Sequence, residues 1–185
     1  PADESGLRDR VAALKASIAA AGAEVPQDPA RQLRGAVEAV FRSWDSPRAR
    51  TYRVHEGIDE DLGTAVNVQA MVFGNRDDRS GTGVVFTRDP STGENRPYGD
   101  FLPRAQGEDV VAGTARTLTL ADMAERLPAA HRELTERLGA LERHYRDMCD
   151  VEFTVESGTL FILQTRVGKR GAVAAVRLAA DMAAD

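Results

Sequence analysis

The fold is decided by the stretch DVEFTVESGTLFILQTR, residues 150–166. Two runs rich in β-branched and apolar residues, 151–155 and 160–165, flank Glu-Ser-Gly at 156–158, a pattern typical of a β-hairpin. A three-residue turn pairs Glu152 with Gln164 and Asp150 with Arg166. A two-residue turn would pair Glu152 with Leu163 and mix the polar and apolar faces, so the longer turn is preferred. The preferred register predicts one apolar face made of residues Val151, Phe153, Val155, Phe161 and Leu163.

The polar face of this hairpin has the chemistry of a metal–phosphate site. Magnesium takes oxygen ligands and usually keeps contact with substrate phosphates, so Glu152 and Gln164 on neighbouring strands could hold it. Arg166 could neutralise charge on a transferred phosphoryl group. Spacing alone leaves the alternative open, and favours it: a solvent-facing polar row in which an Asp–Arg pair contributes little.

A second candidate is the glycine-rich stretch at residues 74–83, which precedes a short apolar strand at 84–87. The spacing Gly81-x-Gly83 would let backbone N–H groups approach phosphate oxygens. The stretch is neither a P-loop nor a dinucleotide-binding fingerprint, since no Gly-Lys-Ser/Thr is present and a strand follows rather than a helix. A plain surface turn is the alternative that spacing leaves open, and it is the more common one.

Composition sets the broad class of the protein. The chain has 24 basic and 29 acidic residues and a net charge of -5, which argues against a nucleic-acid partner held by charge. It contains no apolar run long enough to span a membrane and no signal-peptide pattern. One cysteine, Cys149, cannot form an internal disulfide, so a cytoplasmic location is expected.

Periodicity predicts helices in the first third, at about 7–22, 28–44 and from Pro47 onward, with Asp28 and Pro29 as a strong helix start. Strands are predicted at 64–73, 84–87 and 98–102, a helix near 123–148 that Pro128 interrupts or restarts, and a helix from Gly171. We therefore expect an α+β fold with a helical section at 1–62, an α+β lobe at 63–168 and a C-terminal helix at 169–185.

Several motifs occur in order along the chain and are more specific together than apart. They are PQDP (26–29), AVFRSW (39–44), RARTYR (48–53), GTAVNVQAMVFGN (63–75), SGTGV (80–84), FTRDPSTGE (86–94), AQGEDVVAG (105–113), DVEFT (150–154) and LQTRxGKR (163–170). From about Val25 onward the sequence resembles the nucleotide-binding domain of the pyruvate, phosphate dikinase family, which has the ATP-grasp fold. The resemblance implies half of an ATP-grasp domain, with an antiparallel or mixed sheet flanked by helices.

The resemblance also implies the chemistry. The family converts pyruvate, ATP and phosphate into phosphoenolpyruvate, AMP and pyrophosphate, and an ATP-grasp domain phosphorylates a histidine on a swivelling domain. By matching motifs, Glu152 and Gln164 would bind the magnesium at the phosphates of ATP, supported by Asp150, and Arg166 would contact the phosphates as the catalytic cation. The same match assigns nucleotide-binding roles to a further set of residues: Gln69 and Met71 beside the adenine, Gly81 and Gly83 beside the phosphates, and Glu108 as a polar neighbour.

The resemblance further implies partners that this stretch does not contain. These are the other ATP-grasp half, which supplies a lysine and an arginine, the phosphohistidine domain, and the pyruvate-binding barrel, in an enzyme expected to be a homodimer. The chain alone is expected to be inactive. Two alternatives remain: a related phosphotransferase such as pyruvate, water dikinase, and a non-catalytic nucleotide-binding module.

Overall fold

A computed structural model describes residues 3–111 and 116–184 of the chain. It divides into two compact units, the first reaching Gln69 and the second starting at Ala70. Within the described ranges, no helix is both long and apolar enough to cross a membrane. The helices are α1 (Glu4–Ala20), α2 (Pro29–Ser43), α3 (Pro47–Glu56), α4 (Gly107–Val111), α5 (Leu120–Arg126), α6 (Pro128–Tyr145) and α7 (Ala172–Ala184).

Side-chain caps set the helix starts in the first unit. Asp28 accepts a hydrogen bond from the Arg31 N–H at 2.8 Å, and Pro29 follows as the first residue of α2, as the sequence predicts. Ser46 caps α3 in the same way. The cap of α1 is Asp3, and because its carboxylate accepts the Gly6 N–H, the helix starts earlier than apolar spacing indicates.

The strand predicted at residues 64–73 is wrong. In the described part of the chain these residues form no strand, although their β-branched and apolar composition is typical of one. A strand needs a neighbour for its backbone N–H and C=O groups, and none of the described strands pairs with this segment. The segment is largely exposed, and Phe73 at its end donates its N–H to Glu156 at 2.9 Å.

The second unit is built on a five-stranded antiparallel sheet in the order β3-β2-β1-β4-β5. This confirms the expected α+β class. Of these strands, the short β3 was not predicted, and β1 begins three residues earlier than expected, inside the glycine-rich stretch. The strands are β1 (Gly81–Phe86), β2 (Tyr98–Pro103), β3 (Leu118–Thr119), β4 (Cys149–Glu156) and β5 (Thr159–Val167).

One face of the sheet carries the core. Helices α5 and α6 pack on it, and Pro128 separates them by starting α6. The Phe101 and Phe153 rings stack at 6.4 Å between centroids and 6° between planes. Because successive side chains of a strand point to opposite faces, the core residues of β1 and β4 alternate with residues of the other face. The buried cluster comprises Val85, Phe101, Met123, Leu127, Ala130, Leu134, Leu138, Cys149, Val151, Phe153 and Val155.

The β4–β5 hairpin has the expected pairs at its open end and a different turn. Glu152 lies opposite Gln164, and Asp150 opposite Arg166. The turn is the shorter one, Ser157–Gly158, with both residues at positive φ (50° and 88°), because such turns match the twist of a hairpin.

A β-bulge reconciles the shorter turn with the expected pairs. Between the pair Glu152–Gln164 and the pair Phe153–Ile162, β5 contains one extra residue, Leu163. The prediction that Phe161 and Leu163 belong to the core is therefore wrong, because the shift in register gives Leu160 and Ile162 the core contacts instead.

Within the second unit, a buried arginine that follows β1 joins helix α7 to helix α6. Arg88 donates Nε–H to Glu142 on α6 at 2.9 Å and a terminal N–H to Asp181 on α7 at 2.8 Å. Burial lowers the pKa of Arg88, but these two carboxylates outweigh it and raise the pKa above its ordinary value. Ala174 and Leu178 of α7 are buried as well.

Candidate functional site

A cleft of about 490 Å³ lies on the sheet face opposite the buried cluster. Strands β1, β4 and β5 and the short helix α4 contribute its walls. Carboxylates and apolar side chains share this cleft, which is the usual composition of a small-molecule site. The residues that line it are Thr82, Gly83, Val84, Gly107, Glu108, Val110, Glu152 and Leu163.

Glu152 and Gln164 stand side by side at the edge of this cleft. They are direct cross-strand partners in the β4–β5 ladder, and the Cβ atoms of such partners are about 4.5–5.5 Å apart. Glu152 is half-buried and Gln164 is exposed. Among the hydrogen bonds of the described residues, neither side chain has a protein partner, so the carboxylate and amide oxygens are both available to a ligand.

Arg166 and Asp150 form the next cross-strand pair on the same face of these strands, two pairs along the ladder. The Arg166 Nε–H donates to Asp150 Oδ2 at 2.7 Å, and Asp150 is buried while more than half of the Arg166 side chain is exposed. The hydrogen bond and charge of Asp150 raise the pKa of Arg166. In the described contacts Arg166 uses Nε alone, so its terminal nitrogens can donate to an anion.

Gly81 and Gly83 lie in β1 rather than in a loop. A Cβ on Gly83 would come within 2.6 Å of the Phe153 ring, and a Cβ on Gly81 would collide with Phe101. The stacked rings of the core therefore exclude a side chain at both positions, and at Gly83 the backbone oxygen of Asp100 on β2 excludes one as well. The backbone of Gly83 still lines the cleft on the opposite face, whereas Gly81 is not among the lining residues.

Glu108 also lines the cleft, from helix α4, so the structure brings it to the same space as Glu152 and Gly83. Sequence reasoning predicted an irregular segment here. Gly113, at the end of that motif, lies outside the described residues.

Neither of the two adenine-contacting candidates is among the residues that line the cleft. Met71 is exposed, in the segment without a strand partner, and no described contact links it to the cleft. Gln69 belongs to the first unit, whereas the cleft belongs to the second.

The donor set at the hairpin fits magnesium. The described residues contain no cluster of three or more His, Cys, Asp or Glu side chains suited to a metal. Magnesium does not require one, since one or two carboxylates, water and substrate phosphates usually complete its octahedron. Glu152 and Gln164 supply one carboxylate and one amide oxygen on adjacent strands, with Arg166 two pairs further along, on the same face.

Sequence reasoning missed the apolar part of the site. Thr82 and Val84 line the cleft because they alternate along β1 with the core residue Val85, which a longer predicted strand would have revealed. Leu163 lines it because of the β-bulge, and no sequence signal marks that bulge.

The family model for the AMP/ATP-binding domain of pyruvate phosphate dikinase matches residues 8–136, more than half of the chain. Curated relatives extend further. The chain is 55% identical over 177 residues to the chloroplastic pyruvate, phosphate dikinase of Flaveria pringlei, a span covering 95% of this chain and 18% of that protein. It is 56% identical over 165 residues to pyruvate, phosphate dikinase 1 of Arabidopsis thaliana, covering 89% and 17%. The match to the Clostridium symbiosum protein is 54% over 161 residues, covering 87% and 18%. The chain thus spans less than a fifth of the length of these relatives.

Proposed function

Since the chain belongs to the pyruvate, phosphate dikinase family, we propose that its second unit forms the metal–phosphate half of an ATP site. The proposed parent reaction converts ATP, pyruvate and phosphate into AMP, phosphoenolpyruvate and pyrophosphate. In it, a phosphoryl group of ATP passes first to a histidine of another domain. The observation that carries the proposal is the adjacency of Glu152, Gln164 and Arg166 at the edge of one cleft.

Each residue of the hairpin has a distinct proposed task. Glu152 and Gln164 would hold magnesium, which would neutralise negative charge on the phosphates of ATP. Arg166 donates to the phosphate oxygens and compensates the charge that develops as the phosphoryl group leaves. Asp150 orients Arg166 through the Nε–H hydrogen bond.

The cleft supplies the surroundings of the nucleotide. The Gly83 backbone borders the phosphates, and Glu108 faces the nucleotide from α4. Gln69 and Met71 stay predictions for the adenine contact. The remaining partners are also proposals: the second ATP-grasp half, a phosphohistidine domain and a pyruvate-binding barrel, in a homodimer. A cytoplasmic location also stays a prediction, since the relatives include chloroplastic proteins.

The test is a calorimetric titration of the intact enzyme that carries this chain with a non-hydrolysable ATP analogue, with and without magnesium. We expect magnesium-dependent binding that Glu152→Ala abolishes. The matched control is Glu133→Ala, which removes an exposed carboxylate on α6 that pairs only with Arg137 among the described contacts. Equal binding by the Glu152→Ala and unsubstituted proteins would contradict the proposal.

A further inference from the structure

A second cavity, of about 340 Å³, lies between helices α6 and α7 and is called the α6–α7 cavity here. It shares no lining residue with the cleft of the candidate site. Cavities that are mere packing defects are apolar, whereas the lining of this one is mostly charged. The lining residues are Arg88, Glu142, Arg143, Arg146 and Met182.

The charged groups around this cavity differ in how they are paired. Arg88 is paired on both sides, because its Nε and Nη2 each lie 2.9 Å from Glu142 Oε1 and its Nη1 lies 2.8 Å from Asp181 Oδ2. Arg143 and Arg146 are exposed, and neither has a side-chain hydrogen bond or an ion pair among the described contacts. The surplus positive charge therefore belongs to guanidinium groups that are able to donate to an anion.

Glu142 has one acceptor atom without a donor. Its Oε1 takes both hydrogen bonds from Arg88, while its Oε2 is buried and has no hydrogen-bond partner among the described residues. A buried oxygen without a donor is unfavourable, and such an atom in a native protein calls for a donor from water, an ion or a ligand. An ionised carboxylate can only accept, so a ligand that satisfies Oε2 must carry an O–H or N–H group.

Arg146 ends α6 in a conformation that is unusual for its residue type. Its φ is 51°, in the left-handed region, and glycine is the usual residue with that conformation at the end of a helix. An arginine there destabilises the backbone relative to glycine, but it places a guanidinium group in the lining of the α6–α7 cavity. The residue type at this position thus favours a role for the side chain.

We propose that the α6–α7 cavity binds hydrogen phosphate, with Arg143 and Arg146 donating to its oxygens and Glu142 accepting the hydrogen bond of its P–O–H group. Guanidinium groups match phosphate oxygens in geometry as well as in charge, and water fills the rest of the cavity. At neutral pH inorganic phosphate keeps a P–O–H group, whereas sulfate has acceptors only. The Glu142 carboxylate therefore selects between two anions of similar size, at a site separate from the cleft.

The test is a calorimetric titration of the intact enzyme that carries this chain, with sodium phosphate and with sodium sulfate. Magnesium and nucleotide are left out, so that the cleft is not filled. We expect phosphate to bind about tenfold more tightly than sulfate, as one hydrogen bond to a charged group implies. The double variant Arg143→Ala/Arg146→Ala should bind phosphate at least about tenfold more weakly.

Two controls locate the bound ion. Arg137→Ala removes an exposed arginine of α6 that pairs with Glu133 and does not line the cavity, and it should leave phosphate binding unchanged. Glu152→Ala alters the cleft and should also leave it unchanged.

Glu142→Gln tests the selection between the two anions. The amide oxygen can still accept from Arg88, but the NH₂ group replaces the acceptor Oε2 with a donor. We expect this variant to lose the preference for phosphate and to bind sulfate at least as tightly. A preference that survives in Glu142→Gln would show that Glu142 does not contact the ion.

The site itself can be overturned independently of the proposed function. Phosphate binding that survives in Arg143→Ala/Arg146→Ala and is lost in Glu152→Ala would assign the ion to the cleft. The absence of phosphate binding at millimolar concentrations, or equal affinities of the unsubstituted enzyme for phosphate and sulfate, would also contradict the proposal. None of these results would affect magnesium-dependent binding of the ATP analogue.

Discussion

At the scale of single residues, the hydrogen bond to Asp150 sets the orientation of the Arg166 side chain. Asp150 is buried and takes the Nε–H of Arg166 at 2.7 Å, while the guanidinium end of the side chain reaches solvent. An arginine held at one nitrogen loses less conformational freedom when its other nitrogens bind an anion. Asp150 is therefore a positioning residue in the proposed site.

We expect Asp150→Asn to weaken magnesium-dependent binding of an ATP analogue severalfold without abolishing it. The asparagine oxygen still accepts the Nε–H bond, but the charge that strengthens the bond is lost. Arg166→Lys should weaken the binding of the ATP analogue more than Asp150→Asn does, because lysine cannot present a planar fork of donors to phosphate. Arg137→Lys, on the exposed face of α6, is the control for both in calorimetric titrations. An unchanged affinity of Asp150→Asn would remove Asp150 from the site.

Gly83→Ala should lower the free energy of unfolding of the second unit by about 1–3 kcal/mol, the usual cost of overpacking a core. The added methyl group would collide with the backbone oxygen of Asp100 and come within 2.6 Å of the Phe153 ring. Gly139→Ala in α6 is the control: its nearest neighbour is the flexible end of Arg143 at 3.3 Å, so the helix should gain about 0.5–1 kcal/mol. Urea unfolding measures both variants, and a neutral Gly83→Ala would show that these two contacts do not explain the glycine.

At the scale of elements, the β4–β5 turn is joined to the preceding loop by a loop–turn clamp, defined here as Asp77, Ser80, Glu156 and Ser157. Asp77 accepts hydrogen bonds from the Ser157 hydroxyl at 2.5 Å and from the Ser80 hydroxyl at 2.7 Å. Glu156 accepts the Phe73 N–H and pairs with Arg76. The clamp fixes the closed end of the hairpin, while the candidate site occupies its open end.

The loop–turn clamp predicts acid sensitivity. The hydroxyl of Ser157, followed by that of Ser80, lowers the pKa of Asp77, and the Phe73 N–H, followed by Arg76, lowers that of Glu156. A carboxyl group whose pKa is lowered by folding stabilises the fold above its unfolded pKa, about 3.9 for Asp and 4.3 for Glu. That contribution is lost as the pH falls through the folded pKa.

We therefore expect the stability of the second unit to fall below about pH 4, and to fall less steeply in the double variant Asp77→Asn/Glu156→Gln. Glu133→Gln, on the exposed face of α6, is the control. Urea unfolding between acidic and neutral pH measures the slopes, and parallel slopes for the double variant and the control would exclude the clamp as the cause.

The hairpin also shows how much of a local structure can be predicted from its sequence. The alternation of residues and the polar row at 150, 152, 164 and 166 were enough to predict the pairs at its open end. The turn was predicted wrongly, because β5 contains a bulge that no residue pattern marks. The clamp could not be predicted, since Asp77 and Ser157 are distant in sequence and no local pattern links them.

At the scale of the whole molecule, helix starts and the α+β class follow from local signals such as Asp28-Pro29 and Pro128. The prediction of a strand at 64–73 failed, because a strand depends on a neighbouring strand that local sequence does not specify. That segment ends the first unit and begins the second. It also contains Gln69 and Met71, so the adenine contact is the part of the candidate site that the structure supports least.

We expect thermolysin, which cuts before apolar residues, to cleave the native protein first within residues 64–72. These residues are largely exposed and lack a strand partner in the described chain, and proteases prefer such backbone. Mass spectrometry should find a product that begins near Ala70 and retains the sheet. A first cut within β4, β5 or α6 would contradict this expectation.

The stacked Phe101 and Phe153 rings have a consequence for how this sequence can change over time. A side chain at 81 would collide with the Phe101 ring, and one at 83 would collide with both the Phe153 ring and the backbone oxygen of Asp100. A smaller residue at 153 would therefore not by itself admit a methyl group at 83, because the backbone of β2 would still be in its path. Both positions are confined to glycine for as long as the three strands keep their spacing, and the cleft on the other face inherits a strand backbone that the core side keeps unchanged.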